Sequence, residues 1–350
     1  MLHVMCQIIN GNALAEKIKD KIVSEVQKLP SRPNLAIILV GERPDSTLYV
    51  ARKEKEGKKC GIDTHLYKFG EDASEQELLD CIGYLNRDDL IDGILLQMPL
   101  PAHFNANKIV ATISADKEID GFHPVNLKKI KAGEKYLMPV LAAVILEILK
   151  SINCDLRGKT IALLAHSDIF MNGVGEILQQ RGATILPCAY DAHSAGELRR
   201  CAKKADIVIT AVGKKNYLTA DYLKPEAIVI DIGIIREGDP SDKHGASQTF
   251  GDVEPKSVSK VASFLTPVPG GVGPMTIACL LGMAGGQVVF APTLAVVCVF
   301  ALAGLCTRRR AWFILLAVWA MLGAARGAVW QLHPAAALMR TLPADPSPIA

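Results

Sequence analysis

Apolar residues follow two alternating patterns along most of the chain. Residues 12–28 place an apolar side chain at every third or fourth position, which predicts an amphipathic helix. Residues 35–40 form a short, uninterrupted apolar run bounded by Pro33 and Gly41, which is typical of a buried strand. The same two patterns predict further helices at 46–59, 140–149 and 174–180, and further strands at 90–97, 160–165, 183–186, 207–211 and 227–232.

Strands that alternate with helices predict an α/β protein whose parallel sheet is covered on both faces. The apolar helix at 140–149 lies near the middle of this series, so it is a natural bridge between two domains. We therefore expect a first α/β domain at 1–138, a second domain at 139–282 and an additional apolar tail at 283–350.

The chain of 350 residues has a formal net charge of only +3, so its overall charge gives no reason to expect nucleic-acid binding. The charges are unevenly placed, because no charged residue lies between Lys260 and Arg308. Residues 288–306 form an uncharged run of about 19 residues, close to the length that spans a bilayer. Three arginines and a second apolar run at 311–325 follow, so the tail fits a helical hairpin with a basic loop.

Nine cysteines are spread along the chain without a Cys-x-x-Cys pair or a spacing to histidine that suits a metal. We therefore expect reduced thiols, no disulfide and no bound metal. Residues 1–10 are too few and too polar for a signal peptide. Together these features favour a cytoplasmic protein.

Three side chains with useful chemistry share one face of the predicted helix at 46–59. Ser46, Tyr49 and Lys53 are spaced three and four residues apart. A lysine that is desolvated in a cleft loses its charge more readily and then acts as a base or a hydrogen-bond donor. Charged neighbours such as Arg52 fit an ordinary solvated helix equally well, so this pattern alone leaves both interpretations open.

Two further polar residues stand where ligands commonly bind. Gln97 ends the predicted strand at 90–97, and open α/β sheets bind ligands at the carboxyl ends of their strands. Asp120 lies in a loop just before Gly121, and its carboxylate can accept two hydrogen bonds from one ligand edge. Each feature alone is ambiguous.

Taken together, these residues lie in motifs that resemble those of the bifunctional methylenetetrahydrofolate dehydrogenase/methenyltetrahydrofolate cyclohydrolase family. The most specific motif is the string Thr-Pro-Val-Pro-Gly-Gly-Val-Gly-Pro-Met-Thr at 266–276. The other matching segments are 41–46 with Tyr49 and Lys53, 97–101, 117–126, 205–213, 230–234 and 251–253. The resemblance covers nearly all of the chain before the apolar tail.

The resemblance implies an N-terminal α/β domain that binds folate and carries catalysis, followed by a C-terminal Rossmann-like domain that binds a dinucleotide. It implies NADP-dependent oxidation of 5,10-methylenetetrahydrofolate to the 5,10-methenyl form, which is then hydrolysed to 10-formyltetrahydrofolate. It also implies a homodimer and a place in purine biosynthesis.

The resemblance further implies roles for individual residues. Lys53, Gln97 and Asp120 would be catalytic, with Lys53 as the central residue, Gln97 tuning it and Asp120 binding the pterin edge. The substrate would also contact Ser46, Tyr49, Pro269, Gly270 and Gly271, and the cofactor would contact Ala165, His166, Ser167, Gly213, Ile234 and Gly273.

The segment aligned with the family's phosphate-binding loop, 165–173, departs from the family pattern. His166 stands where the family has an arginine, and Met171 stands where it has a glycine. A pyrophosphate needs backbone N–H groups at a helix N-terminus and little side-chain bulk, so Met171 is expected to obstruct it. Gly173 and Gly175 offer a substitute. Without the arginine we expect weaker NADP binding and poor discrimination against NAD.

Two alternative functions stay open: a cyclohydrolase with lost or altered dinucleotide use, and a non-catalytic subunit of the same fold. The presence of Lys53 and Asp120 favours an enzyme. For the tail, a membrane hairpin with its basic loop in the cytoplasm would put both chain ends outside, away from cytosolic folate. A fusion, a frame-shifted end or a buried helix pair are therefore alternatives to membrane contact.

Overall fold

The computed structural model describes residues 5–134, 136–237 and 248–285. The first half is built on a parallel three-stranded sheet in the order β3-β2-β4. The central strand is β2 (Asn34–Val40), and it pairs with β3 (Asp63–Phe69) on one side and β4 (Gly93–Leu96) on the other. Alternate side chains of β2 enter two different apolar clusters, so both faces of this sheet are covered.

Five helices accompany this sheet, and local signals explain where they begin and end. Asn10 caps the first helix by accepting a hydrogen bond from the backbone of Ala13 at 3.0 Å. Gly61 ends the second helix in the left-handed conformation, at φ 78°. Ser74 and Glu77 form a capping box at the third. The helices are α1 (Gly11–Val26), α2 (Pro44–Cys60), α3 (Glu75–Arg87), α4 (Ala106–Thr112) and α5 (Pro124–Ala132).

The second half is built on a six-stranded sheet in the order β1-β11-β8-β7-β5-β6, with every neighbouring pair parallel. Its strands are β5 (Thr160–Ala165), β6 (Thr184–Ala189), β7 (Ile207–Ala211), β8 (Ile228–Asp231), β11 (Phe264–Leu265) and β1 (Gln7–Ile8). The remaining elements are α6 (Val140–Ser151), α7 (Asp168–Gln179), α8 (Ala195–Ala202), α9 (Pro255–Val258), α10 (Val272–Ala284) and the antiparallel pair β9 (Ile235–Glu237) and β10 (Gln248–Phe250).

Two elements connect the halves across the boundary expected at 138–139. Strand β1, from the start of the chain, pairs with β11 in the second sheet. Helix α10, from the end of the described chain, packs on α1, α2 and α6. One continuous apolar cluster contains buried residues of both sheets, so the halves share a core. The division into 1–138 and 139–282 stays a prediction, and α10 continues past residue 282 to Ala284.

The structure confirms the predicted alternation of strands and helices. The strands expected at 160–165 and 207–211 coincide with β5 and β7. The helix expected at 174–180 begins earlier, at Asp168, because Ser167 caps it by accepting a hydrogen bond from the backbone of Phe170 at 3.2 Å.

The expectation that every cysteine is a free thiol was wrong for one pair. Cys188 and Cys201 form a disulfide, with their Cα atoms 6.6 Å apart. The two residues are brought together because α8 packs against β6. The other cysteines of the described chain, Cys6, Cys60, Cys81, Cys154 and Cys279, are free.

The predicted apolar tail from residue 286 onward lies outside the described residues. Within 5–134, 136–237 and 248–285, no helix has both the length and the apolar character needed to cross a bilayer. The same part of the chain contains no cluster of histidine, cysteine and carboxylate side chains arranged to hold a metal ion.

Candidate active site

Helix α2 carries the three polar residues that the helical spacing had grouped. Ser46 and Lys53 are buried, at 3% and 7% exposure, whereas Tyr49 is half-buried between them. The helix begins at Pro44, shortly after the left-handed turn at Gly41 that follows β2. The turn at the carboxyl end of β2 therefore orients α2 so that its polar face points into the protein. Lys53 is buried, so the interpretation of this helix as solvated is wrong for that residue.

Lys53 is held by a residue from the neighbouring strand. Its Nζ donates to Oε1 of Gln97 at 2.9 Å, and Gln97 Nε2 donates in turn to the carbonyl oxygen of Met98 at 2.6 Å. Gln97 directly follows β4, so the amide that orients the lysine is anchored at the end of a buried strand. The bond fixes the direction of the Lys53 side chain.

Asp120 sits in a loop that a second, deeper carboxylate shapes. Glu118 is 4% exposed, and its two oxygens accept hydrogen bonds from the backbone N–H groups of Asp120 at 2.8 Å and His123 at 2.9 Å. Lys117 fixes the start of the same loop by donating to three backbone carbonyls at the end of α3. Glu118 and Lys117 are thus supporting residues that the sequence analysis did not single out.

Burial shifts the proton affinities of this cluster. It lowers the pKa of the Lys53 ammonium, and the nearby Asp120 carboxylate opposes that shift. It raises the pKa of Asp120, and here the charge of Lys53 opposes the shift. Burial also raises the pKa of Glu118 to about 7, and the Asp120 charge adds to this effect. Lys53 therefore gives up its proton more readily than an exposed lysine does.

A cleft of about 670 Å³ joins the two halves of the protein. The first half contributes Leu96, Met98 and Asp120 to its lining, and the second half contributes Ala165 and Ser167. Two residues predicted for the cofactor thus face the same space as one predicted for catalysis. This shared space allows a ligand on the second domain to reach a ligand held by Asp120.

A second cleft, of about 570 Å³, collects most of the remaining predicted residues. Tyr49 lies on one wall, and the Pro- and Gly-rich loop 267–273 forms the other. A Cβ atom on Gly273 would lie 3.3 Å from the Tyr49 hydroxyl, so the loop passes close to the tyrosine. The predicted residues that line this cleft are Tyr49, Ile234, Pro269, Gly270, Gly271 and Gly273.

Ile234 and Gly273, both expected at the cofactor, therefore line the same cleft as Tyr49. Ala165 and Ser167 line the other cleft instead.

Positive charge gathers at the outer part of the Tyr49 cleft. Arg52, Lys55 and Arg236 line it, and Arg236 lies 3.8 Å from an oxygen of the Asp45 carboxylate. Lys19 lines it as well, but Glu16 and Glu56 pair with this lysine and balance its charge. The cleft can therefore receive an anionic group at its mouth and an aromatic ring against Tyr49.

At the carboxyl ends of β5 and β7, His166 is held on both sides. Its Nδ1 lies 2.7 Å from Oδ2 of Asp191, and its Nε2 lies 2.8 Å from the carbonyl oxygen of Val212. Gly213, which follows Val212, adopts φ +69°, and a Cβ atom there would meet nothing within 4 Å. Backbone at Gly213 is thus open to a ligand that passes over the strand ends.

The expectation that Met171 obstructs this edge was wrong. Met171 is 5% exposed and belongs to the apolar core, because it lies on the inward face of α7. Phe170 lines the shared cleft instead. Gly173 and Gly175 line neither cleft, and added Cβ atoms would lie 3.1 Å from Leu127 and 3.4 Å from Leu163. Their small size serves packing.

Two buried aspartates set the loops around both clefts. Asp252 accepts hydrogen bonds from the backbone N–H groups of Val212 at 2.6 Å and Lys214 at 2.9 Å, which fixes the turn after β7. Asp231 accepts from the backbone of Gly233 and Val253, and burial raises its pKa to about 7. Both belong to matching motifs, yet the sequence analysis assigned them no role.

Gly11 is another residue that sequence reasoning missed. A Cβ atom at this position would lie 1.8 Å from the carbonyl oxygen of Gly271, and the backbone N–H of Asn12 donates to Gly270 at 3.2 Å. The start of α1 therefore supports the glycine loop directly. The only sequence signal was a glycine next to the helix cap, which is too common to identify a site.

The strand ends of the second sheet share one cleft with Asp120 of the first half, and Asp120 lies near the buried Lys53 and its partner Gln97. This arrangement defines a two-domain α/β enzyme with a dinucleotide-binding half. Residues 9–120 match the family model described as the catalytic domain of tetrahydrofolate dehydrogenase/cyclohydrolase. Residues 139–285 match the model described as the NAD(P)-binding domain of the same enzymes. The chain belongs to the tetrahydrofolate dehydrogenase/cyclohydrolase family.

Individual relatives agree with the family models. The bifunctional protein FolD of Oceanobacillus iheyensis is 40% identical over 280 residues, which cover 79% of this chain and 95% of that protein. The bifunctional protein FolD of Bacillus anthracis is 41% identical over 277 residues, covering 78% and 93%.

Solved structures of similar enzymes superpose on the described fold. The FolD methylenetetrahydrofolate dehydrogenase/cyclohydrolase of Campylobacter jejuni has a TM-score of 0.74 and 35% identity, covering 81% of this chain and 98% of that one. The Trypanosoma brucei enzyme, complexed with NADP cofactor and inhibitor, has a TM-score of 0.75 and 29% identity, covering 82% and 99%.

Proposed function

We propose that this protein interconverts one-carbon forms of tetrahydrofolate. It oxidises 5,10-methylenetetrahydrofolate to the 5,10-methenyl form with a nicotinamide dinucleotide and hydrolyses the methenyl form to 10-formyltetrahydrofolate. The observation that carries the proposal is the buried Lys53, which is bonded to Gln97 and lies close to Asp120, a residue that lines the cleft shared with the dinucleotide-binding half.

The hydrolysis follows from the state of Lys53. The methenyl carbon is electrophilic because the substrate is a cation, so a water oxygen bonds to it once the water is positioned. A lysine whose pKa is lowered by burial has a larger neutral fraction, and its free amine can take one proton from that water. The adduct then opens as the bond from the carbon to N5 breaks, and the hydroxyl proton ends on N5.

Gln97 and Asp120 have positioning and binding roles in this proposal. Gln97 accepts from Lys53 and so keeps the amine aimed at one place. Asp120 presents a carboxylate in the shared cleft, where it can accept hydrogen bonds from the amino and ring N–H groups of a pterin. The Glu118 bonds keep the Asp120 loop in place.

The Tyr49 cleft fits the rest of a folate. The tyrosine ring offers a flat apolar surface for the aminobenzoyl group, and loop 267–273 lets backbone approach it closely. Arg52, Lys55 and Arg236 supply positive charge for the carboxylates of the glutamate part. Ser46, Pro269, Gly270 and Gly271 would complete this binding site.

The second half fits a dinucleotide in general. The carboxyl ends of β5 and β7 line the shared cleft, and α7 begins there, so the backbone N–H groups of its first turn are available to a phosphate. Gly213 has no side chain, so the space over its backbone is free. Asp168 in the first turn of α7 partly offsets the positive end of the helix. The chemistry that such a cofactor supplies is acceptance of a hydride.

The choice between NADP and NAD depends on the residues that face the adenosine ribose. The family resemblance implies NADP, but it also aligns His166 with an arginine of the family, and His166 is already bonded to Asp191 and Val212. We propose that the 2′-phosphate therefore adds little to binding.

The test is a spectrophotometric assay of the purified full-length protein. Methenyl-folate formation is followed with NADP and with NAD, and methenyl-folate hydrolysis is followed separately without either dinucleotide. We expect both reactions. Hydrolysis without oxidation would instead show that the protein is a cyclohydrolase only. The absence of both reactions would show that it is a non-catalytic protein of the same fold.

A further inference from the structure

The end of β6 carries a carboxylate to which no motif in the sequence assigns a role. Asp191 lies in the short 3₁₀ turn Tyr190–Ala192 directly after β6, and 71% of its side chain is exposed. Its Oδ2 is 2.7 Å from His166 Nδ1, whereas its Oδ1 has no hydrogen-bond partner within the described part of the chain. Asp191 therefore offers one unused acceptor oxygen beside the turn between β5 and α7.

The partner of this carboxylate is fixed in place. Both ring nitrogens of His166 already face an acceptor oxygen, Asp191 Oδ2 on one side and the carbonyl oxygen of Val212 on the other. His166 therefore has no N–H group left for a phosphate, and turning the ring towards one would break both bonds.

Asp191 lies at the strand end where a sheet of this topology binds the adenosine ribose of a dinucleotide. A dinucleotide crosses the carboxyl ends of the strands where the strand order reverses, which here is between β5 and β7. Its adenosine ribose then lies towards the next strand, β6, roughly 20 residues after the phosphate-binding turn. A carboxylate there accepts a hydrogen bond from the ribose 2′-hydroxyl, whereas a 2′-phosphate meets a like charge.

We propose that Asp191 selects NAD over NADP in this enzyme by accepting a hydrogen bond from the ribose through its free Oδ1. The inference rests on the proposed dehydrogenase function and deepens it by naming the residue that sets cofactor choice. His166 has a positioning role, because its bond holds the Asp191 carboxylate at the end of β6.

Lys214 is a nearby cation that would favour NADPH over NADH, opposite to the effect proposed for Asp191. Lys214 Nζ lies 4.7 Å from the centre of the Tyr190 ring, and Tyr190 in turn packs against His166 with ring centres 4.7 Å apart. A 2′-phosphate would be attracted by this lysine. The experiment therefore has to separate the effect of Asp191 from that of Lys214.

The experiment is a titration of the full-length protein with NADH and NADPH, with binding measured by calorimetry so that no turnover is needed. The variants are Asp191→Asn, Asp191→Ser, His166→Arg combined with Asp191→Ser, and Lys214→Met. Asp155→Ser is the matched control, because Asp155 is an exposed aspartate of the same half, ahead of the amino end of β5.

We expect the unmodified protein to bind NADH about tenfold more tightly than NADPH, the size of effect that one charge-assisted hydrogen bond provides. Asp191→Asn and Asp191→Ser should remove most of this preference, and the double variant should reverse it. Asp155→Ser should leave the ratio unchanged, and Lys214→Met should leave NADH binding unchanged.

If the unmodified protein binds NADPH more tightly than NADH, and Lys214→Met loses this preference, then Asp191 does not select NAD. The protein would still be a dinucleotide-dependent enzyme. An unchanged ratio in both Asp191 variants would overturn the selection of NAD as well. Failure to bind either dinucleotide would overturn both this inference and the proposed oxidation.

Discussion

Lys53 and Gln97 are joined by a hydrogen bond of 2.9 Å between the lysine Nζ and the glutamine Oε1, although α2 and the end of β4 supply them separately. The bond places a buried amine at a fixed point of the active site. It also means that any change in the charge of residue 97 acts directly on the protonation of Lys53.

Lys53→Met should abolish methenyl-folate hydrolysis, since methionine fills similar space but offers no amine. The loss should be at least about a hundredfold, in line with the contribution of a positioned acid–base group. Lys58→Met is the matched control, because Lys58 is an exposed lysine on the same helix. Circular dichroism and thermal unfolding check that both variants fold. Hydrolysis by Lys53→Met near the unmodified rate would refute the role of this lysine.

Gln97→Glu should move the pH dependence of hydrolysis upward. The rate rises with pH as Lys53 loses its proton, and a carboxylate in contact with Nζ favours the charged ammonium, which raises the pKa of Lys53. Activity at neutral pH should therefore fall and recover in more alkaline buffer. The measurement is the hydrolysis rate at saturating substrate across the pH range.

Asp120→Asn should move the same profile in the opposite direction. The Asp120 charge favours the ammonium form of Lys53, so its removal lowers the pKa of Lys53 further. Loss of the carboxylate should also raise the KM for folate. If the pH profiles of Gln97→Glu and Asp120→Asn shift in the same direction, the rise of the hydrolysis rate with pH does not reflect the deprotonation of Lys53.

Gly11→Ala should damage the enzyme without touching a catalytic group. The added methyl would lie 1.8 Å from the Gly271 carbonyl, so either α1 or the glycine loop has to move. We expect a loss of stability of about 1–3 kcal/mol and a higher KM for folate. Gly196→Ala is the control, because its methyl would approach only the end of the Arg200 side chain, at 3.8 Å. Chemical denaturation and steady-state kinetics of both variants decide the matter.

Truncation after residue 285 should give a soluble protein with unchanged hydrolysis. The reason is that α10 ends at Ala284 and the described elements already bury their own apolar faces. The full chain should partition into membranes or aggregate, since its tail contains long uncharged runs. Fractionation and assay of both forms test this. An unfolded truncated form beside a soluble, monodisperse full-length form would show that the tail packs on the body.

The sequence predicted those parts of the site whose residues are neighbours in a helix or end a buried strand. Ser46, Tyr49 and Lys53 share a face because of helical spacing alone, and Gln97 ends a strand that its apolar run makes visible. What it could not predict are contacts between distant segments. The bond between His166 and Asp191 depends on the register of β5 with β6, and the contact of Gly11 with Gly271 joins opposite ends of the folded chain.

The position of Met171 shows why matching residues to a family pattern was insufficient. A residue at the start of a helix can face either the ligand or the core, and only the rotation of α7 decides which. The cap at Ser167 set that rotation so that Met171 became a core residue. The disulfide between Cys188 and Cys201 depends in the same way on how α8 lies over β6.

Strand β1 belongs to the sheet of the second half, and α10 packs on helices of the first half. This crossing of the chain affects the order in which the protein can fold during synthesis. Strand β1 is synthesised long before its partner β11, and α1, α2 and α6 lack their contacts with α10 until that helix follows. We therefore expect the N-terminal half to complete its packing only after α10 has been synthesised, unlike domains that fold as independent units. The docking of α10 on α1 closes one of the longest sequence separations in the fold, and α10 adds Val272 and Gly273 to the lining of the Tyr49 cleft.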